Sequence, residues 1–386
     1  MAPIVEILGN RRYRVPPAAP ALPDALPVND REPSRPPRFL AVRFDAASLI
    51  LEDGATFSAQ VSPPLVDLIT GTTMLQMDAP AHAQKAQLFR PLFSPARIAH
   101  WERTVIRPLA HQLLDELGGA IRDPIDLVSA YTAELPLHTI NRIVGLPERE
   151  RTQLHTWPST LCGNLAADQV AAIAIEINTQ IRRAIDARRD SPSGDLLGEV
   201  LRLHADGAPL PILEVLAFIR LLVGAAYETA SHGLATALFA LLSHPSQLVA
   251  VRRDPGLIAP AVEEALRWET SDPGVSRRAT RDTELCGIHI PAGTRIEVSL
   301  ASANHDETRW EQPENFDLHR PQKRHLAFGA GAHHCLGARL GRAELSVGIE
   351  VLLERLPHLA IDPAWTDRRI TGSEFRAPEQ LPVVRA

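Results

Sequence analysis

The chain has 386 residues, 45% hydrophobic and 22% charged, the composition of an ordinary soluble globular protein with a sizeable core. A formal net charge of −6 without any long basic run argues against nucleic acid as a partner. The three cysteines, Cys162, Cys286 and Cys335, are far apart and form no Cys-x-x-Cys pair. Neither a disulfide framework nor a cysteine-rich zinc site is indicated, and a reducing, cytoplasmic setting is expected.

From Met1 to Pro37 the chain lacks a basic start followed by an apolar run, so it does not read as a signal peptide. Its many prolines favour extended chain lying across the surface. Helical patterns separated by proline and glycine follow at Ala81–Leu92, Ile98–Leu117, Leu127–Val144, Arg149–Leu161 and Gln169–Arg188. The run Ile212–Leu242 is apolar over most of its length, but Arg220, Glu228, Thr229 and His232 interrupt it. It reads as a helix crossing the core, not as a membrane anchor. Pro245, Pro255 and Pro260 then divide the chain into short helices, the last containing Val262–Trp268.

The period changes after that. Ile288 and Ile290, then Ile296, Val298 and Leu300, alternate around Pro291-Ala292-Gly293, which predicts a strand–turn–strand unit. Helical spacing returns after Cys335 with Leu336, Leu340, Ala343, Val347 and Val351. No repeat or low-complexity linker appears. The pattern fits one mixed domain over residues 1–386, mainly α with small β-sheets (α+β), with the proline-rich segment lying on it.

The most informative stretch is Phe328-Gly329-Ala330-Gly331-Ala332-His333-His334-Cys335-Leu336-Gly337. Its glycines permit left-handed turns and close approach of a flat ligand. Cys335 falls where a helix begins, and unpaired N–H groups there favour a thiolate over a thiol. An anionic sulfur on a rigid glycine loop suits a haem iron, and thiolate donation favours O–O bond cleavage. A buried structural cysteine, or a metal cluster with His333 and His334, is the competing reading.

The pattern Phe-Gly-x-Gly-x-His-x-Cys-x-Gly resembles the signature of the cytochrome P450 family, the haem-thiolate monooxygenases, in its soluble bacterial branch. The resemblance runs from about Asp78 to the C-terminus. It implies the family's fold, with haem b (iron protoporphyrin IX) between the long central helix and the cysteine loop. Cys335 would be the axial ligand, with Phe328, Gly329 and Gly337 against the cofactor. His82, Arg277 and His333 would meet the anionic propionates.

The resemblance also gives roles to pairs that the sequence alone leaves open. Glu264 and Arg267, three apart on one helical face, could be an exposed ion pair; the family implies a buried brace behind the cysteine loop. Its third member normally comes from a Pro-x-Arg-Phe stretch, and here Asn315 replaces that arginine in Pro313–Phe316, which predicts an altered brace. Ala225-Ala226-Tyr227-Glu228-Thr229 resembles the family's Ala-Gly-x-acid-Thr, so Thr229 is expected to hydrogen-bond dioxygen while Glu228 relays protons. Without the family, Thr229 would bond back to the preceding turn and Glu228 would find a basic partner. The family often has arginine four residues after His82, where this chain has Ala86; Lys85 or Arg90 could compensate.

The function implied is insertion of one oxygen atom into a small-to-medium hydrophobic substrate, with Ala225, Ala226, Val275 and Phe375 lining the pocket. No flavin or iron–sulfur segment is recognisable, so electrons would come from a separate ferredoxin and its reductase. Arg320, Lys323, Arg324, Arg339 and Arg342 flank the cysteine loop and are expected to form a cationic landing rim for it. A peroxide-driven peroxygenase and a non-catalytic haem-binding docking protein are the alternatives.

Overall fold

The computed structural model describes residues 5–7, 39–61, 73–118, 124–146, 167–190, 193–205, 207–372 and 375–385. The proline-rich segment, apart from a short strand, and the expected helix Arg149–Leu161 lie outside the described residues, as does Cys162.

In chain order, β1 (Val5–Ile7) and β2 (Phe39–Ala41) precede α1 (Phe44–Glu52) and β3 (Phe57–Ser58). The expected helix from Ala81 is α2 (Ala81–Phe89); Pro91 follows in a 3₁₀ turn, Arg90–Phe93. The expected helix Ile98–Leu117 is two helices, α3 (Pro95–Trp101) and α4 (Arg107–Glu116), joined by a π turn at Glu102–Ile106. Pro108, which has no N–H to donate, sits in the first turn of α4. After β4 (Ile125–Asp126) come α5 (Glu134–Val144), α6 (Ala167–Asp190) and α7 (Leu196–Val200), then the two-strand ribbon β5 (His204–Ala205) and β6 (Ala208–Pro209).

The apolar run forms α8 (Ile212–Ser243), a 32-residue helix buried along most of its length. It packs on α5, on α10 (Ile258–Trp268) and on α12 (Ala338–Arg355), the helix that follows the cysteine loop. Between α8 and α10 lies α9 (Pro245–Arg253). Gly348 permits the approach of α12: a Cβ there would meet Leu234 and Leu135 side-chain carbons at 3.0–3.1 Å. Tyr131, fully buried, donates its hydroxyl to the Gly348 carbonyl at 2.9 Å. No helix among the described residues is long and apolar enough to cross a membrane.

The remaining strands are β7 (Gly274–Ala279), β8 (Thr283–Leu285), β9 (Ile288–Ile290) and β10 (Arg295–Ser299), then, beyond α11 (Leu300–Asn304) and α12, β11 (Leu359–Ile361), β12 (Ile370–Thr371), β13 (Ala377–Pro378) and β14 (Pro382–Arg385). The main sheet has the order β1-β2-β10-β7-β3, parallel from β1 to β10 and antiparallel beyond. It carries a second apolar cluster, with Phe44, Phe57, Ile296 and Trp310, apart from the helical core.

The expected pairing of the Ile288 and Ile296 strands is not found. β9 pairs with β8 through Cys286-Gly287, whose φ angles of 53° and 78° make the two-residue left-handed turn that suits a twisted hairpin. β10 pairs instead with β2 and β7. The Pro291–Gly293 donors are spent elsewhere, Gly293 N–H on the Ala279 carbonyl at 2.7 Å and Ala292 N–H on Asp282 at 2.8 Å.

Candidate haem site

The cysteine loop is fixed by its own backbone. Cys335 N–H donates to the Phe328 carbonyl at 3.0 Å, and Gly329 N–H donates to Leu326 at 2.8 Å. Gly329 and Gly331 sit at φ 66° and 68°, where other residues are strained. A Cβ on Gly331 would also lie 2.4 Å from the Leu51 carbonyl, so α1 backs the loop. Cys335 lies three residues before α12, and N–H groups of Gly337 and Ala338 reach its sulfur. Burial pushes the thiol up, and the two N–H groups pull it the other way. Cys335 is nonetheless an exposed residue, so what it faces is an opening within the fold.

Two adjacent glutamates on α10 hold this loop from behind. Glu264 takes a two-pronged bond from Arg267, both at 2.8 Å, and the two side chains are only 3% exposed. Arg267 also donates to the carbonyls of Asn304, Pro313 and Asn315 at 3.0, 2.9 and 3.2 Å. The brace is altered, as expected from Asn315: its third member is Arg320. Arg320 Nε reaches Glu264 Oε1 at 3.0 Å, and Arg320 also holds the Asn315 carbonyl at 2.9 Å. Glu263, which the sequence reading passed over, bonds His325 at 3.2 Å and receives two bonds from Arg342, whose guanidinium covers the Phe328 ring at 4.4 Å. Burial alone would raise the Glu263 carboxyl; the bonds from His325 and Arg342 outweigh it and hold it at about 2. Asn304 Oδ1 accepts from Leu326 N–H at 2.7 Å, a further tie to the loop.

The expected cationic rim is therefore reduced. Arg320 and Arg342 are engaged in the brace, Arg324 pairs with Glu52 at 2.6 Å, and Lys323 donates to the Arg309 carbonyl at 2.7 Å. Lys323, Arg324 and Arg339 remain exposed.

His82, Arg277 and His333 do come together. The two imidazole centroids lie 4.1 Å apart, and His82 and Arg277 are buried. Burial, then the nearby His82 and Arg277, pushes His333 down to about 4; His82 is lowered by burial and by Arg90. A cluster whose members suppress each other's positive charge fits an anionic ligand such as a carboxylate. Arg90 Nη2 approaches the Ala332 carbonyl at 3.4 Å, whereas Lys85 turns away to pair with Glu214 on α8. Of the two replacements considered for Ala86, only Arg90 stays beside the histidines.

On α8, Ala225 is exposed and Ala226, Glu228 and Thr229 are partly so, although neighbours such as Leu222, Val223 and Ala230 are buried. This stretch of α8 is thus accessible between buried neighbours. Thr229 donates its hydroxyl to the Ala225 carbonyl at 2.7 Å, which leaves the oxygen free only to accept. Val275 lies in β7, opposite Val298. Phe375 stands 6.0 Å from the ring of His232 on α8, and its loop is tied down by the buried Arg376–Glu269 pair and by Arg376 N–H on the Ser271 carbonyl at 2.9 Å. His232 carries a buried, unpartnered Nδ1, and burial brings it down to about 4.

An accessible cysteine on a glycine loop, a cation cluster fit for carboxylates and an accessible stretch of an otherwise buried helix together match a haem. A family model for cytochrome P450 matches residues 257–364. "Cytochrome P450 107B1" of Saccharopolyspora erythraea is 33% identical over 315 residues, 81% of this chain and 77% of that protein. The chain belongs to the cytochrome P450 family. "Cytochrome P450 monooxygenase PikC" of Streptomyces venezuelae is 32% identical, covering 86% of this chain and 81% of that P450. Among solved structures, P450BioI in complex with hexadec-9Z-enoic acid ligated acyl carrier protein superimposes with a TM-score of 0.82 at 29% identity, covering 90% and 92%. This P450 is accordingly a haem-binding oxidoreductase of the bacterial monooxygenase type.

Proposed function

We propose that this P450 inserts one atom of dioxygen into a C–H bond of a small-to-medium hydrophobic substrate. The C–H becomes C–OH, and the second oxygen leaves as water after uptake of two electrons and two protons. The single observation that carries this reading is Cys335, accessible from within on a loop whose glycines and backbone bonds fix it. The cofactor is haem b, held through Cys335, with His82, Arg277 and His333 towards its propionates. When bound, it supplies oxygen activation.

The chain's own residues position and protonate. Thr229 accepts a hydrogen bond at the opening because its one proton is already committed to Ala225. Glu228, beside it, moves protons inward. Ala225, Ala226, Val275 and Phe375 exclude water from the substrate's side. A ferredoxin with its reductase, in a cytoplasmic setting, supplies electrons at the face carrying exposed Lys323, Arg324 and Arg339.

The direct test is spectroscopic. The reduced carbon-monoxide complex of the purified protein is expected to show the red-shifted Soret band of thiolate ligation. Cys335→Ala abolishes it and Cys286→Ala does not. An unchanged band in the Cys335 variant overturns the reading.

A further inference from the structure

Arg342 carries a charge close to the cysteine loop that the reaction so far leaves without a use. Its guanidinium lies 4.4 Å from the centroid of the Phe328 ring, and the Phe328 carbonyl accepts Cys335 N–H at 3.0 Å. The cation is near enough to favour the thiolate over the thiol at Cys335, whereas Asp272 opposes it. Glu263 answers that charge: its Oε1 takes Arg342 Nε at 2.5 Å and its Oε2 takes Nη2 at 3.0 Å. The carboxylate is fixed in turn by His325. Ala327 N–H donates to Nδ1 of that ring at 3.2 Å, which leaves Nε2 to donate to Glu263 at 3.2 Å. Arg342 Nη1 also reaches the Ala338 carbonyl at 3.3 Å, so both halves of the pair are held at set places beside the loop.

We propose that Arg342 and Glu263 are positioning residues that set the reduction potential of the haem at Cys335, Arg342 raising it and Glu263 returning part of that rise. The inference rests on the haem-thiolate reading and adds what governs its first electron. That electron takes ferric haem to ferrous; no bond forms or breaks, and the site gains one negative charge. A cation on the sulfur's side favours the reduced state and an anion opposes it. Paired, the two act as a dipole whose field fades quickly with distance; separated, each acts as a full charge. The halves of one ion pair therefore move the potential in opposite directions. Their side chains are 36% and 27% exposed, so water screens part of either effect.

The test is a spectroelectrochemical titration of the haem-loaded protein, with dithionite as reductant. Glu263→Gln frees the guanidinium and is expected to favour the ferrous form roughly three- to tenfold, about 30–60 mV upward at 59 mV per tenfold. Arg342→Gln leaves the carboxylate unanswered and is expected to shift the potential downward by a similar factor. Glu263→Asp, which keeps the charge, and the double variant Glu263→Gln with Arg342→Gln stay within about twofold of the parent. Shifts of one sign in both single variants are the mark of a loosened loop and overturn the proposal, as does an unchanged potential in Arg342→Gln. Should one single variant fail to hold haem, the sign of the shift in the other decides alone. A parent protein whose carbon-monoxide complex lacks the thiolate band overturns the haem-thiolate reading instead.

Discussion

Arg320 reaches Glu264 with its Nε at 3.0 Å from Oε1, from 56 positions further along the chain. The brace behind the cysteine loop thus has two guanidinium groups on one carboxylate, and the arginine missing at position 315 is supplied from five residues later. Arg320→Ala leaves a buried carboxylate with one cation in place of two and three carbonyls short of a donor. The expected loss is about 2–4 kcal/mol in urea unfolding, with faster haem release. A variant as stable as the parent would show the contact to be idle.

Glu263 gives the fold a pH dependence of definite sign. Its folded value is about 2 and its ordinary value 4.5, so its stabilisation is fully present above 4.5 and is lost as the pH falls towards 2. Glu263→Gln is expected to cost roughly 2–3 kcal/mol at pH 7 and progressively less below pH 4.5. Urea midpoints at pH 7 and pH 4 measure this; an equal gap at both would place the effect in packing instead.

The proposed division of proton handling between Thr229 and Glu228 can be tested by mutation. Thr229→Ala is expected to keep haem and substrate binding while reducing equivalents are diverted to hydrogen peroxide; Thr229→Ser, which keeps the hydroxyl, restores coupling. Glu228→Gln slows turnover by about 10²-fold. Peroxide formed per electron pair is the measurement, and full coupling in Thr229→Ala would mark the hydroxyl as a helix feature only.

The electron donor is expected to meet the cations that stay exposed, not Arg320 and Arg342, which are engaged in the brace. Lys323→Glu with Arg339→Glu should slow ferredoxin-driven reduction at low ionic strength, an effect fading with salt, while dithionite reduction stays unchanged. Arg342→Glu is a different variant: it puts a carboxylate against Glu263 and destabilises the loop whatever the donor. A reduction rate indifferent to Lys323 and Arg339 would move the landing site elsewhere.

Much of the site was legible because it is local. The loop from Phe328 to Gly337 carries its conformation in its glycines, and Ala225 to Thr229 form one continuous stretch of α8. What could not be read are partnerships between distant positions: Arg320 with Glu264, Arg376 with Glu269 across 107 positions, and Lys85 with Glu214 across 129. Charged side chains at such separations leave no periodic trace. The β8–β9 hairpin escaped for another reason. Its turn uses Cys286 at a positive φ, where asparagine or aspartate would have announced it.

Gly348 touches neither Cys335 nor Thr229, yet it lies where the helix that follows the one packs on the helix that bears the other. It is the point where the helix leading from the sulfur closes on the helix bearing the hydroxyl, with no room for a methyl group without displacing Leu234 and Leu135. The closeness of the two helices is thus a tolerance set two helical turns and more from the cysteine loop. A single added carbon there would act as a shim, pushing the two helices apart without touching a single candidate site residue.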